Sequence, residues 1–121
     1  MNYSETLQYL FAKLPMFQRV GDKAFKKDLT NTLALLEALD KPHLKFQSIH
    51  IAGTNGKGSV SHILASVFQE SGFKTGCYTS PHYKDFRERI KINGLLLSED
   101  YVVDFVQKHK ELIERIQPSF F

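Results

Sequence analysis

Ala52-Gly53-Thr54-Asn55-Gly56-Lys57-Gly58-Ser59 is the stretch on which the reading of this chain turns. Before it, Phe46-Gln-Ser-Ile-His-Ile-Ala52 is short, partly β-branched and bounded by Pro42 and Gly53, which predicts a strand. After it, Val60, Ile63, Leu64, Val67 and Phe68 recur at helical spacing, predicting a helix with one buried face closed by Gly72. A glycine-rich turn between a strand and a helix gathers backbone N–H groups into a cradle for phosphate oxygens, and the helix adds the positive end of its dipole. Gly53, Gly56 and Gly58 permit backbone angles and close approach that a Cβ would block. Lys57 supplies a point charge for the β/γ end of a nucleotide, and a hydroxyl just after it suits Mg²⁺. The common P-loop pattern would want glycine at Ile51 and a hydroxyl directly after the lysine, where this chain has Gly58 and then Ser59. An ordinary glycine-rich turn is the competing reading; the strand before and the amphipathic helix after favour phosphate binding.

Working outward, Lys74-Thr-Gly-Cys-Tyr-Thr79 predicts a second strand, so the middle of the chain reads as a right-handed strand–helix–strand crossover with parallel strands. Asn93-Gly94, between the apolar runs of Arg89–Ile92 and Leu95–Leu97, predicts a tight hairpin. A first helix is expected from Ser4, as N-cap, to Leu14, with Leu7, Leu10, Phe11 and Leu14 on one stripe and Pro15 as its stop. Met16 to Lys27 reads as a loop. A second helix carries Leu29, Leu33, Leu36 and Leu39, and Lys41-Pro42 ends it. Ser98 is expected to cap a last helix, with Glu99 and Asp100 in its first turn and the stripe Val102, Phe105, Val106, His109, Leu112, Ile113 and Ile116.

The chain has 121 residues, 42% of them hydrophobic and 24% charged, which suits one modest core. No apolar run approaches the ~18 residues of a membrane span, and the first residues lack a signal-peptide pattern. One cysteine, Cys77, excludes an internal disulfide and a multi-cysteine zinc site. It reads as a small buried residue in a strand, and the cytoplasm is the expected compartment. The net charge is +3, and basic residues cluster in two groups, Arg19 with Lys23, Lys26 and Lys27, and Lys84 with Arg87, Arg89 and Lys91. A nucleic-acid or other anion-binding module is the reading such charge invites. Against it stand Asp85 and Glu88 within the second group, and the lack of stacking aromatics, zinc ligands or helix–turn–helix spacing.

Gly53-Thr-Asn-Gly-Lys-Gly-Ser59 resembles the phosphate loop of folylpolyglutamate synthases and dihydrofolate synthases, within the larger group of Mur-type amino-acid ligases. Tyr78-Thr-Ser-Pro-His82, Phe86-Arg-Glu-Arg-Ile90 with Ile92-Asn-Gly94, and Tyr9-Leu10 with the loop beyond it resemble further stretches of the family, so the likeness covers essentially the whole chain. It implies an α/β, P-loop NTPase-like three-layer fold, here an incomplete parallel sheet with a short β-hairpin. The implied reaction uses ATP to phosphorylate a pterin-linked carboxylate, and glutamate attacks the acyl phosphate to form an amide. By resemblance Thr54, Asn55, Gly56, Lys57, Gly58 and Ser59 hold ATP, and Lys57 stabilises its β/γ end. Ser80 ligates Mg²⁺, and Ser59 is a second candidate. On composition alone Ser80 would be a turn residue before Pro81.

Met16, Phe17, Phe120 and Phe121 are the candidate contacts to substrate, dihydropteroate or tetrahydrofolate; Met16 and Phe17 are equally compatible with ordinary packing, and Phe120 and Phe121 are expected to expose apolar surface. His82 receives no chemical role. Arg87 and Arg89 either pair with Glu88 and its neighbours or face an anionic ligand. The family's enzymes run to several hundred residues. The expectation is therefore that residues 1–121 form the N-terminal part of the ATP-binding domain, without the C-terminal glutamate-binding domain and with little ligase activity. Self-association through unpaired sheet edges is expected too. Thr79–His82 and Phe86–Arg89 favour the folate branch over a peptidoglycan-precursor ligase.

Overall fold

Asn2, rather than Ser4, starts the first helix. Its side chain accepts the N–H of Glu5 at 2.8 Å, and the Glu5 carboxylate accepts the N–H of Asn2 at 2.9 Å. This reciprocal box satisfies two helix-end donors, which a Ser4 cap without an acid three residues on could not do. The computed structural model describes residues 1–14 and 29–120, so Met16, Phe17, Phe121 and the loop expected over 16–27 lie outside the described residues. The chain divides into two compact units, Met1–Gln47 with Val102–Phe121, and Ser48–Tyr101.

In the first unit, α1 (Tyr3–Lys13) buries Leu10, and Leu14 beyond it is buried too. The last helix, α4 (Glu99–Ile116), buries Val102, Val103, Val106 and Ile113, with His109 half-buried against Phe105 at a ring separation of 4.6 Å. Each such aliphatic contributes about 1.5–3 kcal/mol when removed from water. Tyr9 joins α1 to this helix: its hydroxyl donates to Glu114 at 3.3 Å, and Lys110 lies over its ring at 5.3 Å. Between them in sequence, α2 (Thr30–Ala38) ends where Asp40 and Lys41 take positive φ ahead of Pro42. Leu29 and Leu33 of its expected stripe are exposed.

The second unit holds α3 (Lys57–Glu70), β1 (Gly76–Tyr78), β2 (Ile90–Ile92) and β3 (Leu95–Leu96). The three strands form one antiparallel sheet in the order β1-β2-β3, with Gly76, Cys77 and Tyr78 opposite Ile92, Lys91 and Ile90. Asn93 and Gly94 turn the hairpin with φ of 51° and 77°, as the sequence requires. Cys77 is half-buried with a free thiol.

Two expectations are corrected here. Residues 46–52 form no strand, and the described strands pair antiparallel, not parallel. A parallel pair of 46–52 with β1 needs the whole crossover helix closed before any bond is made, whereas β1 meets β2 across the shorter connection 79–89, at a smaller loop entropy. The second correction concerns α3, which packs on β1 while Val60, Ile63 and Val67 of its apolar face stay exposed. A 14-residue helix is about 21 Å long, and strands of two or three residues cannot cover it. The architecture is therefore α/β with a small antiparallel sheet.

Candidate functional site

Gly56 creates the geometry at the start of α3. As N-cap it adopts φ 77° and ψ 6°, a left-handed conformation that costs an L-residue about 1–2 kcal/mol. No side-chain cap covers the helix end, so the first N–H groups of α3 are offered outward by the backbone alone. Gly58, one residue into the helix, has no atom within 4 Å of where a Cβ would stand. Helical glycine is destabilising by about 0.5–1 kcal/mol relative to alanine, so nothing inside the fold favours it there.

The Lys57 side chain folds back over the loop. Its ammonium donates to the carbonyl of Gly53 at 2.6 Å and to that of Thr54 at 3.4 Å. Residues 52–60 are exposed throughout. The result is a helix N-terminus, a set of backbone donors and a tethered cation on one accessible loop, an arrangement suited to an anion with several oxygens.

Ser80 follows β1 in the same unit and is exposed. The chain leaves α3 through a left-handed Gly72, where Gly72 N–H bonds to Gln69 C=O and Phe73 N–H to Phe68 C=O, both at 3.0 Å, and the two rings meet edge-on at 5.9 Å. It then continues into β1, which packs on α3.

The candidate arginines are bound within the unit. Arg87 pairs with Asp85 at 2.8 Å and Glu99 at 3.8 Å and donates to the carbonyl of Leu97 at 3.2 Å. Arg89 is buried, and its Nε donates to His82 Nδ1 at 2.8 Å. Glu88 takes neither arginine; its carboxylate accepts the N–H groups of Tyr83, Lys84 and Asp85 at 3.0, 2.9 and 2.5 Å. Those hydrogen bonds, the one from Asp85 foremost, hold its pKa down to about 2.

No protein-family model matches the chain. Among curated proteins it is similar to the folylpolyglutamate synthase of Lacticaseibacillus casei, 37% identical over 117 residues, covering 97% of this chain and 26% of that protein. It is also similar to the dihydrofolate synthase/folylpolyglutamate synthase of Bacillus subtilis, 36% identical over 94 residues, covering 78% of this chain and 22% of that one. Among solved structures, a folylpolyglutamate synthase complex with AMPPCP and folate superposes with a TM-score of 0.82 at 36% identity, over 97% of this chain and 27% of the other. Over its length the chain is a homologue of folylpolyglutamate synthases. It spans about a quarter of the length of the relatives it matches.

Within this synthase-like chain, Thr54, Asn55, Gly56, Lys57, Gly58, Ser59 and Ser80 all belong to the second unit. Phe120 belongs to the first unit, where it is half-buried with its ring 5.3 Å from that of Phe11, so it does not present the open apolar surface expected of it. A cavity of about 170 Å³ in the first unit is lined by Tyr9, Lys13, Leu14, Ile113, Glu114 and Gln117 and includes no loop residue. Glu88 is the residue whose role the sequence reading missed. Its signal was present: Asp85-Phe-Arg-Glu88 has the spacing of a capping box, and both halves of that box form.

Proposed function

We propose that this chain carries the nucleotide-binding segment of an ATP-dependent carbon–nitrogen ligase that joins L-glutamate to a folate or pteroate carboxylate. The observation that supports it most directly is the left-handed Gly56 feeding α3, with the Lys57 ammonium tethered to Gly53 and Thr54. The homologous complex named for AMPPCP and folate supports both the nucleotide and the acceptor. In this reading Thr54 to Ser59 bind the triphosphate through backbone N–H groups, and Lys57 lowers the cost of charge on the β/γ oxygens.

The substrate carboxylate oxygen attacks the γ-phosphorus as the bond to ADP breaks, giving an acyl phosphate. The glutamate amine then attacks the acyl carbon, phosphate leaves, and the nitrogen loses a proton. The P-loop-like three-layer architecture belongs to the same proposal and would need 46–52 to pair as a strand beside β1.

Mg²⁺ would neutralise phosphate charge during transfer. Among the described residues no cluster of three His, Cys, Asp or Glu side chains could hold a metal ion. The donors at hand, the Ser80 and Ser59 hydroxyls, fit Mg²⁺ bound mainly by phosphates and water. Calorimetry of the chain with Mg²⁺ and AMPPCP tests the proposal. Binding that weakens at least tenfold in Lys57→Ala is expected, and an unchanged affinity would overturn the loop assignment. In an enzyme carrying this segment, turnover with dihydropteroate or tetrahydrofolate, and none with nucleotide-linked sugars, separates the folate reading from that of a peptidoglycan-precursor ligase.

A further inference from the structure

Ser80 and Pro81 lie between two anchored points. On one side the N–H of Thr79 donates to the carbonyl of Arg89 at 3.0 Å, continuing the β1–β2 ladder one step beyond Tyr78 and Ile90. On the other, the buried Arg89 side chain reaches back to His82 Nδ1 at 2.8 Å. The next residues are held as well, because the Glu88 carboxylate gathers the N–H groups of Tyr83, Lys84 and Asp85. Asp85 closes the box by accepting the N–H of Glu88, and its side chain also accepts the N–H of Arg87 at 2.9 Å. Consecutive N–H groups converging on one point form a nest for an anion, and here the chain fills it with its own carboxylate.

So elaborate a hold on an exposed segment needs a reason. An exposed serine before proline gains nothing from it as a turn residue. A hydroxyl offered to Mg²⁺ does gain, since this ion demands near-octahedral geometry and supporting hydrogen bonds behind a ligand change metal affinity by about 10–100-fold. From this arrangement we infer that Glu88 and Arg89 are positioning residues, which fix the Ser80 hydroxyl where the metal of a metal–nucleotide complex takes it. The inference rests on the metal role proposed above for Ser80.

The test titrates the full chain with AMPPCP in Mg²⁺ and again in EDTA, and reads the ratio of the two affinities. Glu88→Gln keeps the size of the side chain but replaces one acceptor oxygen with a donor, which cannot face three N–H groups. It should lower the ratio about tenfold while leaving the affinity in EDTA within about twofold. Adding it to Ser80→Ala should cost nothing further, because the two act through one ligand.

A wild-type ratio in Glu88→Gln, with Ser80→Ala defective, overturns the positioning role and leaves Ser80 its metal. Equal losses with and without metal overturn it too, since they mark a general structural effect. A wild-type chain without metal-dependent gain, or a Ser80→Ala chain that keeps it, overturns both the Ser80 reading and the inference resting on it. Should Glu88→Gln not fold, hydrogen exchange on the wild-type chain decides. The amides of Tyr83 and Lys84 must gain protection with Mg²⁺ and AMPPCP but not with AMPPCP in EDTA, and unchanged protection refutes the role.

Discussion

Alanine at Gly58 separates what the fold needs from what a ligand needs. The site of the added Cβ is empty to 4 Å, and the residue is helical, so the methyl meets no atom of the chain. Removing the backbone freedom of glycine from a helix should then stabilise the chain by about 0.5–1 kcal/mol. For a chain of this size that raises Tm by about 2–4 °C in a thermal melt followed by circular dichroism. A phosphate nested against the first turn of α3 would meet the methyl directly. Intrusion of one methyl group into a close-packed contact costs about 1–3 kcal/mol, which is a loss of about tenfold or more in AMPPCP affinity by calorimetry.

Gly56→Ala is the matched control. Its Cβ also meets nothing within 4 Å, but its φ of 77° makes the change cost about 1–2 kcal/mol of stability. The reasoning fails if Gly58→Ala melts lower than wild type, which would mean the open space is not open. It fails equally if that variant binds AMPPCP as well as the wild type, which would mean no phosphate approaches there.

Lys57→Ala should leave the melting temperature nearly unchanged, because the side chain is exposed and the change amounts to within about 0.5 kcal/mol. Glu88 has its pKa lowered from 4.5 to about 2, so its contribution to stability is complete above pH 4.5 and is lost as pH falls towards 2. A carbon-13 titration of its carboxylate with a midpoint near 4.5 would refute the nest of N–H groups, and Glu88→Gln should flatten the acid limb of a stability profile between those two values. Gly94→Ala places a methyl 3.4 Å from Gln69 Oε1 at a φ of 77° and should cost about 1–2 kcal/mol in urea denaturation. Asn2→Ala removes the box at the start of α1 and should cost about 1 kcal/mol in the same experiment.

What the sequence disclosed is what is decided within a few residues. Asn93-Gly94 demands a hairpin, and Gly72 after an apolar stripe demands a helix stop; both are there. Ser98 accepts the N–H of Tyr101 at 3.1 Å, as its place before Glu99 and Asp100 suggests. What it could not disclose depends on partners far along the chain. Residues 46–52 have strand composition, yet a strand exists only when another pairs with it. Val60, Ile63 and Val67 have helical spacing, but spacing says which side is apolar and not what covers it. The site divides the same way. The glycines and Lys57 were legible because their chemistry lies in one loop, whereas only half of the role of Glu88 was: its capping-box spacing from Asp85 is in the sequence, but the N–H groups of Tyr83 and Lys84 that it also gathers carry no side-chain signature.

Lys57 shows why a loop can be at once self-contained and ready for a ligand. An ammonium has three N–H donors. The carbonyls of Gly53 and Thr54 take two of them, the second at a long 3.4 Å, and this anchors the charge above its own loop. The third donor lies on the same nitrogen, so a phosphate oxygen can be received without releasing Gly53. The entropy of placing a long, flexible side chain has then been met in folding rather than in binding, which is the physical content of preorganisation. Arginine could not do the same, because its planar fork spreads its donors over three nitrogens and cannot cap a carbonyl at 2.6 Å and meet an oxygen beyond it from one atom.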